Sequence, residues 1–233
     1  EGTFTLGIAT DTQDQDGTII AQSENVHISA LELKKVFRQF TGRVAQVPPM
    51  YSAVKINGQR LYELARRGKS IERKARHVHI YSLELLHIHE GKHPQVDFRV
   101  VCSKGTYVRT LCVDIGQTLG EPAHLSRLVR IKSGPFTKQH CVSLSELERV
   151  PPAEWHKRWL LPLEAGLIQF PSYTVSTSVE QRVRNGQPID VSDGVFAPDT
   201  LLRVFVEKEF MALYKVDRDS QWARPVKVFV ENR

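Results

Sequence analysis

Cysteine and long apolar runs are scarce in this sequence. Its 233 residues contain only Cys102, Cys112 and Cys141, an odd number without the spacing of metal ligands. This pattern favours reduced thiols, so we expect a cytoplasmic protein. No segment approaches the roughly 20 apolar residues of a membrane span. The first residues also show no charged region followed by an apolar run, the pattern of a secretory signal. We therefore expect no membrane among the partners.

The composition is that of a globular, mildly basic protein. A hydrophobic content of 41% is enough for a real core, and 233 residues suffice for one large domain or two smaller ones. The net charge of +6 and the sequence pI near 9.3 are compatible with a polyanionic partner without requiring one.

The central stretch of the chain reads as strand, break and helix. Residues 95–100 alternate in polarity and predict a half-buried strand, which Ser103 to Gly105 interrupts. Helical apolar spacing then runs over residues 108–119 and ends at Gly120. Lys104, Tyr107 and Arg109 are thereby placed near a helix N-terminus, where free N–H groups attract anions. The alternative is an ordinary joint with solvated charges.

Residues 43–76 form the most basic part of the chain. Pro48 and Pro49 exclude helix locally, and a short helix is predicted from about Gln59 to Arg67, ended by Gly68. Basic side chains interleaved with Tyr51 and Tyr62 suit backbone neutralisation and base stacking on looped RNA. The alternative is a solvated basic loop. The basic residues are Arg43, Lys55, Arg60, Arg66, Arg67, Lys69, Arg73, Lys74 and Arg76.

The remaining segments carry mainly structural signals. A hairpin is predicted from strands at residues 3–8 and 18–21, and its turn acids lack the further carboxylate of a calcium loop. Ser29 and Glu32 form a capping box. Four histidines in the strand at 78–88 and its ends lack zinc spacing and should be exposed. Residues 124–134 predict a helical turn passing into a strand, and 145–150 a short helix.

Three motifs resemble those of the TruB family of bacterial tRNA pseudouridine synthases. The central one runs Cys-Ser-Lys-Gly-Thr-Tyr-Val-Arg-Thr-Leu over residues 102–111 and continues through residues 123–130. A second, Pro-Pro-Met-Tyr-Ser-Ala-Val-Lys-Ile-Asn-Gly, covers residues 48–58. A third, Leu-Gly-Ile-Ala-Thr-Asp-Thr with an acidic turn, covers residues 6–17. The motifs keep the family's order along most of the chain.

The resemblance implies an activity and a set of site residues. The family isomerises uridine 55 in the TΨC loop of tRNA, and the base must leave the stack to be reached. By position in the motifs, Tyr107 should pack against the flipped base and Arg109 should orient a catalytic Asp. Leu128 should line the uracil pocket, and residues 43–76 match the family's RNA-binding thumb. The resemblance assigns substrate contacts to Asp14, Met50, Tyr51, Lys55 and Lys104 and implies no metal or organic cofactor.

One part of the family pattern is not among the 233 residues. The nucleophilic Asp lies in a Gly-x-Leu-Asp-Pro-type motif upstream of the strand in which this sequence begins. We therefore expect this chain by itself to be inactive and a version extended upstream to be active.

The resemblance also implies an architecture. We expect an α+β pseudouridine synthase domain with a mixed or antiparallel sheet over residues 1–166, including the thumb at 43–76. A PUA-like β-barrel over residues 167–233 should follow, since short strands with frequent turns crowd this part. The expected partner is the TΨC stem-loop of tRNA, bound by a monomer without an obligate protein partner. Two alternatives stay open, a noncatalytic RNA-binding protein and an unrelated basic α+β domain.

Overall fold

The computed structural model describes residues 1–219 and 221–229. The chain divides into two compact units, Glu1–Arg130 and Ile131–Arg233. This division groups residues 131–166 with the C-terminal part, whereas the motifs place the domain boundary at 166/167. The boundary drawn from the motifs stays a prediction.

A five-stranded antiparallel sheet forms the centre of the first unit. In spatial order its strands are β4 (Gly42–Gln46), β7 (Arg76–His89), β8 (Gln95–Cys102), β1 (Gly2–Leu6) and β9 (Ala123–Leu128). Phe4 and Leu6 on β1 are fully buried, because this strand is paired on both sides. The predicted strands at 3–8 and 95–100 are thus confirmed. Gly7, at φ +87°, ends the first strand, and β2 (Ile8–Thr10) continues the chain.

Two helices pack with this sheet to form the core of the unit. Helix α1 (Ala30–Gln39) begins at the predicted capping box, in which the side chains of Ser29 and Glu32 bond to each other's backbone N–H groups. Helix α3 (Val108–Thr118) is followed by Gly120 at φ +81°, as predicted. The buried apolar residues that join helices and sheet include Phe4, Leu33, Phe37, Ile80, Val96, Phe98, Leu111, Ile115 and Leu125.

Two small hairpins project from this framework. Strands β2 and β3 (Ile19–Gln22) pair antiparallel, so a hairpin forms here as predicted. Its first strand is 8–10, whereas the predicted partner strand lies mainly in β1, which pairs with β8 and β9 instead. Within residues 43–76, β5 (Lys55–Ile56) and β6 (Gln59–Arg60) pair and lead into α2 (Leu61–Arg66). Gly68 follows that helix at φ +69°, so the short helix is confirmed. We call residues 47–75, which connect β4 to β7, the basic arm.

The prediction for residues 124–134 is wrong in its first half. Leu125, Leu128 and Ile131 recur at helical spacing, but residues 123–128 form strand β9. The physical reason is tertiary pairing: β1 offers a second open edge, and β9 bonds to it from Gly2 to Leu6. Local periodicity over so few residues is a weaker determinant than a ladder of backbone hydrogen bonds.

The four histidines lie within β7, on the strand where they were predicted. His77, His79, His87 and His89 are all exposed, and the rings of the last two lie 4.5 Å apart. Two register shifts interrupt the pairing of β7 with β8.

The second unit is built on a small mixed sheet. Strand β12 (Ser172–Val175) runs parallel to β14 (Leu201–Val206), and antiparallel β15 (Glu209–Val216), β16 (Trp222–Val228) and β13 (Ile189–Asp190) complete it. The sequence predicts short strands here at 173–175, 189–191, 201–206, 210–216 and 226–230. The first four correspond to β12, β13, β14 and β15, whereas β16 begins four residues earlier than predicted, and residue 230 lies outside the described residues. Tyr214, Met211 and Leu202 are among its fully buried side chains. Further elements are β10 (Lys132–Ser133), β11 (Phe136–Thr137), α4 (Leu144–Glu148), α5 (Pro152–Arg158) and α6 (Glu180–Arg184), with 3-10 turns at Lys138–His140, Leu163–Leu167 and Thr177–Val179.

Candidate active site

The site lies at the start of helix α3. Strand β8 ends at Cys102, and a tight turn over residues 103–106 reverses the chain with Gly105 at φ +84°. Backbone N–H of Ser103 donates to the His79 carbonyl at 2.8 Å, and the Thr106 hydroxyl donates to the Ser103 carbonyl at 2.8 Å. The first bond attaches the turn to β7 and the second closes the turn on itself, so the first residues of α3 start from a fixed position.

Arg109, in the first turn of α3, bonds to three parts of the first unit. Its Nη1 donates to Asp14 Oδ2 at 2.8 Å and to the Thr12 carbonyl at 3.0 Å. Its Nη2 donates to the Tyr51 carbonyl at 2.7 Å. The Arg109 side chain is 25% exposed and that of Asp14 is 29% exposed, so water screens the ion pair only in part. The acidic turn therefore holds the guanidinium at Nη1, and the Tyr51 carbonyl holds it at Nη2.

Asp14 is itself held on its other oxygen. The Thr12 hydroxyl donates to Asp14 Oδ1 at 2.6 Å, and the N–H of Asp16 donates to the same atom at 3.3 Å. Gln13 stands between at φ +65°. Its side-chain Oε1 accepts a bond from the buried Thr110 hydroxyl at 3.0 Å. The acidic turn after β2 is thus bonded to α3 at two successive helix positions.

Tyr107 stands at the N-cap of α3 and is half-buried. Its side chain makes no cap hydrogen bond. Its backbone is bonded instead to the side-chain amide of Gln46, which closes β4. The Tyr107 backbone, which bears the aromatic ring, is therefore held by β4, by the turn at 103–106 and by α3.

The predicted site residues fall into two groups. Asp14, Tyr51 and Arg109 are in direct contact, and Tyr107 lies two residues before Arg109. Met50 is half-buried beside Tyr51, and its carbonyl accepts the Ser52 N–H at 2.9 Å. Lys55 and Lys104 are exposed, and Leu128 is 50% exposed at the end of β9. No side-chain hydrogen bond ties these last three to the cluster in the described part of the chain.

The sequence interpretation gave Arg109 an upstream Asp as its partner. In the structure its carboxylate partner is Asp14, for which the resemblance had implied a substrate contact; that contact stays a prediction. Sequence reasoning also missed Gln46, Thr12 and Thr110, because an amide or hydroxyl that bonds to backbone or to another amide has no spacing signature.

The basic arm presents its charges to solvent. Eight of the nine predicted basic residues at 43–76 are exposed, and only Arg73 is half-buried, donating to the Pro48 carbonyl at 3.2 Å. The guanidinium carbons of Arg60 and Arg66 lie 5.8 and 5.4 Å from the centre of the Tyr62 ring. Arg60 Nη1 also donates to the Tyr62 hydroxyl at 2.8 Å, so this ring holds Arg60 by a hydrogen bond as well as by a cation–π contact.

The described residues contain no group of three or more His, Cys, Asp and Glu side chains arranged to hold a metal ion. Among the same residues, no helix combines the length and apolarity needed to cross a membrane.

The exposed basic side chains beside the Arg109–Asp14 pair give this unit a surface suited to a polyanion. Comparisons with known proteins are more specific. The family model for the TruB family pseudouridylate synthase N-terminal domain matches residues 1–108, and that for the tRNA pseudouridylate synthase B C-terminal domain matches 109–168. The chain belongs to the TruB family of pseudouridylate synthases.

Curated relatives agree with this assignment. A tRNA pseudouridine synthase B of Geobacillus thermodenitrificans is 47% identical over 98% of this chain and 78% of its own length. One from Lactiplantibacillus plantarum is 38% identical over 100% of this chain and 78% of its own length.

Solved structures are similar in fold. A chain of a Cbf5-Nop10-Gar1 complex matches with a TM-score of 0.67 and 22% identity over 98% of this chain. A chain of an H/ACA RNP bound to a substrate RNA containing 2'-deoxyuridine matches with a TM-score of 0.66 and 20% identity over 99% of this chain. This chain spans 66% of the length of each, and at this identity the likeness concerns the fold. It confirms the predicted α+β synthase fold followed by a PUA-like β domain.

Proposed function

We propose that this chain belongs to an enzyme that isomerises uridine 55 in the TΨC loop of tRNA to pseudouridine. The reaction breaks the N-glycosidic bond, rotates the freed uracil and rejoins it to the ribose through C5. Atoms are conserved except that the C5 proton is lost to water and N1 gains one. The observation that carries the proposal is the bonded cluster of Arg109, Asp14 and Tyr51 beside the basic arm, in a chain of the TruB family.

The site residues have distinct proposed roles. Arg109 orients and keeps ionised a nucleophilic Asp from the upstream segment, while Asp14 holds the guanidinium in place from the other side. The planar fork of an arginine suits this task because it can serve two acceptors in fixed directions. The Tyr107 ring packs against the flipped base, and Leu128 lines the uracil pocket. Expulsion of the base from the stack costs a few kcal/mol, which these contacts must offset.

The basic arm is proposed as the main tRNA-binding element. Exposed Lys55 and its neighbours neutralise phosphates, while Met50 and Tyr51 contact the loop near the site. Lys104, exposed at the turn before α3, adds a further phosphate contact. We propose that the enzyme acts as a cytoplasmic monomer. Light scattering coupled to gel filtration would test the monomeric state.

Tritium release from tRNA labelled at uridine C5 tests the activity. We expect release only from tRNA with uridine at position 55, and not from the same tRNA with cytidine there. The 233-residue chain and a version extended upstream by the Asp motif should be assayed together. The proposal predicts release by the extended version alone. Tight tRNA binding without release by the extended version would instead support a noncatalytic RNA-binding protein.

A further inference from the structure

Gln46 makes a buried contact that the proposed roles do not use. It is the last residue of β4 and is 2% exposed. Its side-chain Oε1 accepts the backbone N–H of Tyr107 at 3.1 Å, and its Nε2 donates to the Tyr107 carbonyl at 3.2 Å. One amide thus binds both polar groups of a single residue, as a neighbouring strand would.

The contact fixes the entrance of helix α3. The Tyr107 carbonyl also accepts the N–H of Leu111 at 3.0 Å, the first bond of the helix. Because the Tyr107 side chain supplies no cap of its own, Gln46 takes over the satisfaction of a free N–H group at this end. The N–H of the 106–107 peptide and the carbonyl of the 107–108 peptide are both bonded to Gln46. The two peptide planes beside the Tyr107 Cα, which carries the ring, therefore have little freedom to rotate.

The same contact joins the helix to the base of the basic arm. Strand β4 ends at Gln46 and runs directly into the arm, whose Tyr51 carbonyl accepts the Arg109 bond at 2.7 Å. The chain is therefore attached to α3 twice within six residues, once through Gln46 at the end of β4 and once through Tyr51 in the arm. A displacement at the root of the arm would reach Tyr107 and Arg109 together.

We propose that Gln46 is a positioning residue that aims Tyr107 and Arg109 by holding the two peptides that flank Tyr107 at the start of α3, an inference that rests on the proposed function. It touches neither substrate nor the reacting atoms. Its loss should lower the rate of the chemical step on bound tRNA while leaving the phosphate contacts of the arm unchanged.

Substitution Gln46→Glu offers a test that depends on pH. A protonated carboxyl has one acceptor oxygen and one O–H donor, so it can reproduce both bonds to Tyr107. The ionised form has no donor and places a negative charge against the Tyr107 carbonyl. Arg76 lies opposite Gln46 in the strand pairing and favours that ionised form, whereas burial and the Tyr107 carbonyl favour the protonated form. We therefore expect the new carboxyl to ionise toward the alkaline end of the assay. Gln46→Met matches the size and can make neither bond at any pH.

Both variants should be assayed in the form of the enzyme that turns over tRNA, between pH 5.5 and 8.5. The single-turnover rate of each variant is compared with that of wild type at the same pH. We expect Gln46→Met to lose at least about tenfold in rate at every pH and Gln46→Glu to lose as much only at the alkaline end of the range, both with tRNA Kd within about threefold of wild type. As pH falls, Gln46→Glu should recover and Gln46→Met should not. Val36→Ala, in the core of α1 and 7% exposed, controls for general destabilisation and should keep its rate at a temperature where all variants are folded.

Hydrogen exchange supplies a readout that needs no activity. In the 233-residue chain the Tyr107 amide should exchange slowly, and Gln46→Met should accelerate it more than Val36→Ala does. Unchanged Tyr107 exchange, wild-type rates in both variants, or a loss of affinity with the saturated rate intact would each overturn the positioning role. If wild type forms no pseudouridine, the proposed function fails by itself, and the exchange result then decides the positioning role.

Discussion

Arg109→Lys is the most informative single substitution at the site. It keeps the positive charge but replaces a planar fork that serves Asp14, Thr12 and Tyr51 simultaneously. A lysine ammonium on a shorter reach can keep the Asp14 bond at best, so the two carbonyl bonds are lost. Hydrogen bonds to charged groups contribute about 1.5–3 kcal/mol each. If about 3 kcal/mol of transition-state stabilisation depends on the fork, turnover falls by about 100-fold.

Binding should respond much less than turnover. Arg109 is 25% exposed and already bonded within the protein, so we expect tRNA affinity to change by less than about 1 kcal/mol, or roughly fivefold. Single-turnover rates and filter binding would be measured side by side. Arg99→Lys is the matched control, because Arg99 donates to Glu1 at 2.6 Å on the same unit but away from the site.

Asp14→Asn completes a double-mutant cycle with Arg109→Lys. If the two side chains act as one unit, the double variant should be barely slower than the slower single variant, with a coupling above about 1 kcal/mol. Weakened binding with normal saturated turnover in Arg109→Lys would refute the orienting role and make Arg109 a phosphate contact.

Three further predictions concern the arm and helix α3. Lys55→Ala should weaken binding of a TΨC stem-loop and flatten its salt dependence, because a lost phosphate contact releases fewer counterions; an unchanged slope would leave a solvated loop. Burial raises the pKa of Asp114 to about 6, so stability should fall as pH rises from about 4 to about 6, and Asp114→Asn should gain about 1–2 kcal/mol at pH 7 but nothing near pH 3.5 in urea melts. Gly116→Ala should lose about 1–3 kcal/mol despite better helix propensity, since its methyl would overlap Ala123 and lie 2.8 Å from the Glu121 carbonyl; equal urea midpoints would contradict that packing.

Signals confined to a few neighbouring residues predicted the local structure well. The capping box at Ser29, the glycine ends at Gly68 and Gly120, and the strand before the turn at 103–106 all depend on interactions within one or two turns of chain. Residues 123–128 were misjudged because β1 supplies their hydrogen-bond partners from more than 100 residues away. Spacing along the sequence carries no information about such a partner.

The site was predictable in its residue types and not in its bonds. The motif around Arg109 identified the helix start, but the Asp14 contact spans 95 residues and the Gln46 contact 61. Asp14 looked like one of three turn acids, and Gln46 like an ordinary strand end. Only the folded chain distinguishes the carboxylate and the amide that face α3 from their neighbours.

We claim that this chain belongs to an enzyme that isomerises uridine 55 of tRNA. Mass spectrometry of cyanoethylated tRNA fragments, after reaction with the upstream-extended enzyme, tests this claim. Cyanoethylation marks pseudouridine, so the fragment that carries the mark identifies the modified position. We expect modification at position 55 of the TΨC loop, formed about 100-fold more slowly by Arg109→Lys and at the wild-type rate by Arg99→Lys. Pseudouridine at another position only, or none while tRNA is bound tightly, would contradict it.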